Sequence, residues 1–248
     1  MDVEWHDLER AGRVVGRYQV YRSDPPTADL FEAVGSVGDA VEAVIDQLGG
    51  WLVATADDEL ADALIRRGAE QTRHSHVMSK TLPATEEMPT WTLEWELEPI
   101  DATTRFGDEV VPLIRRAYPP GHPDEEEGTD QDIVDDIHAR LRGDRLGPHM
   151  QGSAVVRDER RPVGLVIVNR VPGEPPFGGP WISDVCRDPD PRYRGVGRAL
   201  LEHAVRCIQE AGEAGLSLAV TVGNPAQRVY EGLGFRIATT SRKVRIPG

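Results

Sequence analysis

Lysine is nearly absent from this 248-residue chain, where Lys80 and Lys243 stand against 26 arginines. The bias reads as genome composition, and no function follows from it. Cysteine is as scarce: Cys186 and Cys207 are too few and too isolated for a disulfide framework or a structural zinc site. They read as small buried hydrophobes in a reducing compartment. No apolar run approaches the length of a membrane span, and the opening MDVEWHDLER lacks the basic region and apolar stretch of a secretory signal. The expectation is a cytoplasmic protein with no membrane partner. Positive charge is in deficit, with a formal net charge of −14, which argues against a nucleic-acid partner and mildly favours cationic small molecules. His122, His149 and His203 have no partner spacing that suggests a metal, and HPDEEEGTDQD, residues 122–132, lacks EF-hand spacing and reads as a solvated loop able to attract a cationic amine. No metal is expected.

What is present is enough apolar content, 39%, to fill a core. PATEEMPT, residues 83–90, mixes proline and charge without periodicity and reads as a linker, so the expected division is 1–82, 83–90 and 91–248. After it, Trp91, Leu93, Trp95 and Leu97 alternate as a strand, and Phe106, Val110, Leu113, Ile114 and Ala117 keep helical spacing. A proline, glycine and acid loop from Pro119 to Asp130 leads to a helix with Ile133, Val134, Ile137 and Leu141 on one face. GSAVVRD and PVGLVIVNRV then read as a hairpin around Arg157–Arg161. From Trp181 the order is strand WISDVCR, glycine turn, helix 196–211, strand LSLAVTV, helix 225–233 and strand FRIATTSRKVRI. The fold class expected is α/β (α+β), a mixed and mainly antiparallel sheet flanked by helices, with one parallel crossover.

The first 82 residues read as a partial, diverged copy of residues 181–245. Gly68 lies on Gly234 and Gly49 on Gly215 at one offset, 166, and strand, helix and strand coincide. Upstream, VYRSDP is set against VCRDP, and Val37, Ala40, Val41, Val44, Ile45 and Leu48 make a helix.

The stretch DPRYRGVGRALLEHAV, residues 190–205, places Arg192-x-x-Gly195-x-Gly197 just before a helix. A helix N-terminus offers unpaired amides and the positive end of the dipole, and glycine lets a phosphate approach them. The spacing is neither G-x-G-x-x-G nor a P-loop. Taken alone, it also suits a plain strand-to-helix turn with glycines for packing.

With its surroundings, ISDVCRDPDPRYRGVGRALL resembles motif A of the GCN5-related N-acetyltransferase (GNAT) superfamily. GNPAQRVYEGLGF resembles its motif B, with Asn224, Ala226, Tyr230, Gly234 and Phe235 at the customary spacings. The resemblance spans 91–248 and is strongest from 181 to 235. It implies a GNAT fold using acetyl-CoA as co-substrate. The pyrophosphate would sit on the amides of Tyr193, Arg194, Gly195, Val196, Gly197 and Arg198, beside Arg192. Pantetheine would run along the strand edge at Val185, Cys186 and Arg187 and meet Asn224. The family usually has an aliphatic residue where Arg187 stands, which unsettles the register of the strand contacts.

Acetyl transfer to an amine needs a deprotonated nucleophile, donors to the developing oxyanion and an acid for the thiolate. Tyr230 matches the family's general acid; as an alternative it packs on the helix with its hydroxyl at the surface. Asn224 also suits a helix cap, with Pro225 behind it. Many relatives carry Glu-Asp in the motif A strand. Here the pair is Ser183-Asp184, leaving Asp184 as the nearest carboxylate for a base, or a solvated strand residue. In the first copy Leu64 takes the place of Tyr230 and PPTADL that of the arginine-glycine turn. That unit is expected to bind no cofactor, and to be structural or form one wall of the acceptor pocket. The resemblance thus implies an N-acetyltransferase acting on a small-molecule or peptide amine by direct attack, as monomer or homodimer. The alternative is a non-catalytic acyl-CoA-binding module.

Overall fold

A computed structural model describes residues 4–21, 25–83, 95–106, 108–125 and 128–248. Most of the expected linker and the residues from Trp91 to Glu94 lie outside the described residues. The chain forms two compact units, Met1–Val77 with Ile237–Gly248, and Met78–Arg236.

The first unit holds β1 (Trp5–Arg10), β2 (Arg13–Tyr21), β3 (Thr27–Ala33), α1 (Val37–Gln47), β4 (Leu52–Thr55), α2 (Asp58–Arg66) and the start of β5 (Glu70–Thr81). The hairpin β1–β2 closes through Ala11 and Gly12, both at positive φ, a two-residue turn that suits the twist of paired strands. The second unit holds β6 (Leu97–Pro99), α3 (Val111–Ala117), α4 (Asp130–Arg142), β7 (Ala154–Asp158), β8 (Arg161–Val171), β9 (Gly179–Arg187), α5 (Val196–Glu210), β10 (Gly215–Thr221) and α6 (Gln227–Gly232). The last strand, β11 (Arg236–Arg245), returns to the first unit.

This return differs from the expected division at 83–90. Val244 and Ile246 bury in the cluster around Phe31, Val44, Leu60 and Leu64, and β11 pairs antiparallel with β4 from Arg242 opposite Thr55 to Arg245 opposite Leu52. In the second unit β10 takes the end of β5 as its neighbour, with Ser217 Oγ donating to Ser79 Oγ at 3.0 Å and Leu82 N–H to the Ala214 carbonyl at 2.9 Å. Each unit therefore completes its sheet with a strand from the other half of the sequence.

Two element boundaries coincide at the offset of 166. At that offset the last residue of α2, Arg66, falls on the last of α6, Gly232, and the first of β5, Glu70, on the first of β11, Arg236. Gly68 and Gly234 share a left-handed backbone, φ +96° and +91°, at the helix-to-strand corner. Upstream the element order requires a different match. Residues from Thr27 in PPTADL form β3, while Val20 and Tyr21 end β2, so the turn before α1 is Val34-Gly35-Ser36 rather than PPTADL.

Strands β7 and β8 read as near-continuous apolar runs because both faces are covered. Ala154, Val156, Val166 and Val168 pack beneath α5, while Val155, Leu165 and Ile167 pack against α3 and α4. Helix α4 starts on a capping box between Thr129 and Asp132 and ends on Gly143 at φ +82°. Helix α5 lies so close to β8 that a Cβ at Gly164 would meet Val196 Cγ1 and come within 2.9 Å of Leu200 Cδ1. Gly164→Val is expected to cost about 1–3 kcal/mol through this overpacking, read as a lower urea midpoint at unchanged slope.

Candidate functional site

Two departures from regular structure make the site, and both lie at the end of β9. Strand β9 pairs with β10 in parallel at only two positions, Trp181 with Ser217 and Ile182 with Leu218. The parting coincides with a bulge: Ile167 faces Asp184 and Val168 faces Ile182, so Ser183 is the extra residue. Its conformation is pinned from several sides. Ser183 Oγ lies 2.6 Å from Asn169 Oδ1, Arg140 donates to the Ser183 carbonyl at 2.6 Å, and the Asn169 amide donates to the carbonyls of Arg140 and Gly147. Beyond the bulge, Cys186 packs its side chain against α3 and α4 and Val185 against the α5 side. A ligand in the opening would therefore meet their main chain.

The glycine turn is built on Asp188, whose side chain is 3% exposed. Its carboxylate accepts from Arg116 Nε at 2.9 Å and from the Asp190 amide at 3.0 Å, and Arg161 stands 3.7 Å away. Burial alone would raise this carboxyl, but the Asp190 amide and the two guanidinium groups hold it below the usual carboxylate range. Asp190 then caps a short 3-10 turn at Pro191–Tyr193, so the amides of Arg192, Tyr193 and Arg194 bond to Asp190 Oδ1, Asp190 O and Pro191 O.

This narrows the expected phosphate cradle. The Tyr193 and Arg194 amides are spent within the turn. The first bond of α5 runs from Ala199 N–H to Gly195 O, so the amides of Gly195, Val196, Gly197 and Arg198 precede it. Gly195, at φ +96°, supplies no side-chain cap, whereas Ser36, Asp57 and Thr129 cap α1, α2 and α4. Nothing lies within 4 Å of a Cβ placed at Gly195, and at Gly197 such an atom meets only Arg187 Cγ and Cδ at 3.8 Å. Tyr193 is an anchor of the turn: buried beneath the Arg192 guanidinium, it donates to Asp158 and accepts from Arg161.

Across the opening, Tyr230 on α6 is 7% exposed, and burial, then Asp124, Asp184 and Cys186, raise its phenol above the ordinary value. It is protonated at neutral pH. Asn224 uses both ends of its amide: Oδ1 accepts from the Ala226 N–H at 2.8 Å, the capping role, and Nδ2 donates to Asp124 at 2.7 Å. Asp124 also accepts from Thr221 Oγ1 at 2.6 Å, so the acidic loop, read in sequence as solvated, is docked on motif B through this residue. Asp184 is partly buried. Burial raises its carboxyl, Arg140 and the Tyr118 hydroxyl oppose the shift, and Asp136 and Asp124 add to it. Sequence reading passed over Tyr118, Asp124, Arg140 and Thr221. Only Tyr118 gave a signal, as an aromatic with a polar end just before Pro119-Pro120. No group of three or more histidine, cysteine or carboxylate side chains able to hold a metal ion is gathered among the described residues.

Residues 151–237, which contain the bulge, the glycine turn and Tyr230, match the family described as "Acetyltransferase (GNAT) domain". Over those residues the chain is similar to a GNAT acetyltransferase domain. A 62-residue stretch is 43% identical to the [ribosomal protein bS18]-alanine N-acetyltransferase of Escherichia coli K12; it covers 25% of this chain and 42% of that one, so the match spans under half of the curated relative. In fold, the GCN5-related N-acetyltransferase from Sphaerobacter thermophilus superposes with a TM-score of 0.61 at 17% identity, over 94% of this chain and 77% of its own. A tandem GNAT protein from the clavulanic acid biosynthesis pathway superposes with a TM-score of 0.55 at 15% identity, over 95% and 80%. The mixed sheet flanked by helices is the GNAT fold.

Because the folded value of Asp188 lies below the unfolded one of about 3.9, its stabilisation is complete above that range and is lost as pH falls through the folded value. Asp188→Asn should lower stability at pH 7 by about 1–3 kcal/mol and flatten the loss on acidification below about pH 5, read as urea midpoints across pH.

Proposed function

We propose that the second unit is an N-acetyltransferase that moves an acetyl group from acetyl-CoA to an amine of a small molecule or peptide, by direct attack in a ternary complex. The observation that carries this reading is the uncapped start of α5 beside the opening between β9 and β10. Four amides precede the first bond of α5 with no side-chain cap, and a Cβ at Gly195 would meet nothing within 4 Å. GNAT enzymes use acetyl-CoA as co-substrate, and the residues present fit it. Gly195, Val196, Gly197 and Arg198 would hold the pyrophosphate, with Arg192 and Arg194 exposed beside them, and the main chain of Val185, Cys186 and Arg187 would hold the pantetheine. Asn224 stands at the far side, its amide shared with Asp124. When bound, acetyl-CoA supplies the activated thioester.

The chain's own groups supply the protons. Asp184 takes one from the acceptor nitrogen, and Tyr230 Oη holds one for the departing sulfur. We further propose that the first unit is a diverged half that binds no cofactor. Ser36 accepts from the Asp39 N–H at the start of α1, Thr55 Oγ1 donates to the Phe31 carbonyl at 2.8 Å between β3 and β4, and fully buried Leu64 stands in place of Tyr230.

A thiol-release screen of acetyl-CoA against amines, amino acids and peptides, including alanine-terminated peptides, tests the activity, and absence of acceptor-dependent release from every class contradicts it. With an acceptor in hand, Tyr230→Phe should slow single-turnover transfer by about 10²-fold while CoA binding holds; an unchanged rate removes Tyr230 as the acid. Gly197→Leu should leave the thermal midpoint of the protein nearly unchanged, since only the Arg187 methylenes are near, but abolish the upward shift that CoA produces. A full shift in that variant contradicts the phosphate assignment.

A further inference from the structure

Tyr118 closes α3 because Pro119 disfavours helical geometry in the residue before it, and its backbone leaves the helix at ψ 67°. Its hydroxyl lies 3.1 Å from Asp184 Oδ1 and 3.0 Å from the Val185 carbonyl oxygen, and its ring leans on His122 at 5.3 Å. A phenol carries one hydrogen, and here two acceptors lie within its reach. Both acceptors are used if the carboxyl changes protonation state. Beside an ionised Asp184 the hydroxyl donates to Oδ1. Beside a protonated Asp184 it accepts from the carboxyl and turns its own hydrogen to Val185 O.

Resting on the acetyl-transfer reading, we infer that Tyr118 is a positioning residue that keeps Asp184 in one place through both of its protonation states, so that the carboxylate can take the acceptor's proton without rearrangement. The balance is simple. One proton passes from the ammonium nitrogen of the acceptor to an Asp184 carboxylate oxygen, leaving the nitrogen lone pair for attack, and Tyr118 stays hydrogen-bonded to Asp184 before and after, first as donor in the stronger charge-assisted bond and then as acceptor. The second proton, lost by the nitrogen as the C–S bond breaks and the amide forms, restores the one Tyr230 gives to the departing sulfur, and at the end of the cycle Asp184 returns its own to solvent.

The groups around Asp184 are consistent with this. From α4 come Arg140 and Asp136, paired to each other at 2.6 Å. Asp124 approaches from the loop after α3, and Tyr230 from α6. The Tyr118 phenol is held well above its ordinary value by burial and by Asp184, so it does not compete for the proton.

The test is Tyr118→Phe in the full chain, read in two ways. The carboxyl 13C resonance of Asp184, titrated against pH without any substrate, reports the pair alone; loss of the donor to the ionised form should raise its midpoint by about one pH unit. The acidic limb of kcat/KM, measured with an acceptor from the screen, should move upward by the same amount. A titration midpoint equal to that of the wild type, or a rate lowered evenly across pH with an unmoved limb, overturns the inference. If the Phe variant does not fold, 3-fluorotyrosine at position 118 keeps the hydroxyl and makes it a stronger donor, and should lower the midpoint; an unmoved midpoint again overturns it. Absence of any acetyl transfer in the wild type contradicts the proposed function, while the titration still reads the pairing of Tyr118 with Asp184.

Discussion

The parting of β9 from β10 after two rungs is the constraint on which the rest of the site depends. The β9–β10 ladder ends at Ile182, and the bulged residue Ser183 follows at once, where a bulge bends its strand and increases the local twist. The bulge is itself held by buried Asn169 with half-buried Arg140 and Ser183, and each of these side chains bonds to backbone from another element. Four further features are placed from this one distortion. Asp184 lies beside Tyr118 at the end of α3 and Arg140 of α4, the β9–β10 ladder ends before residues 185–187, Asp188 is buried against Arg116 of α3, and α5 starts eight residues after Asp188.

Electrostatics then divide the opening in two. Arginines surround the glycine turn, where an anion would lie, and Arg116 and Arg161 keep Asp188 ionised beneath it. Carboxylates gather on the other side, where Asp124 and Asp184 stand near Tyr230 and raise its phenol. A site that holds a phosphate at one end and takes a proton from a cation at the other needs this separation of sign.

The elements were legible where their periodicity was strong. Helix α4 buries the four residues its spacing selects, and the hairpin β7–β8 turns at the charged segment expected. Motif spacing singled out Asn224, Tyr230 and the glycine pair, which lie just before α6, on α6 and at the start of α5. The assignment of β11 to the first unit and of the end of β5 to the second left no trace in local pattern, because an amphipathic strand looks the same whichever neighbour it pairs with. Nor did the bulge, which depends on the facing strand, or the docking of Asp124, which sits in a run of acids that otherwise reads as solvated. The packing of the Tyr193 ring was not legible either, because it depends on contacts with Arg192, Arg161 and Asp158.

The central claim is that the gap beside α5 is built for an acyl-CoA. Isothermal titration of the full chain with acetyl-CoA, and separately with ATP and NAD, tests it most directly. The account predicts saturable binding of one acetyl-CoA per chain and no comparable binding of either nucleotide. Binding of ATP or NAD without acetyl-CoA, or two molecules of acetyl-CoA per chain, would contradict it.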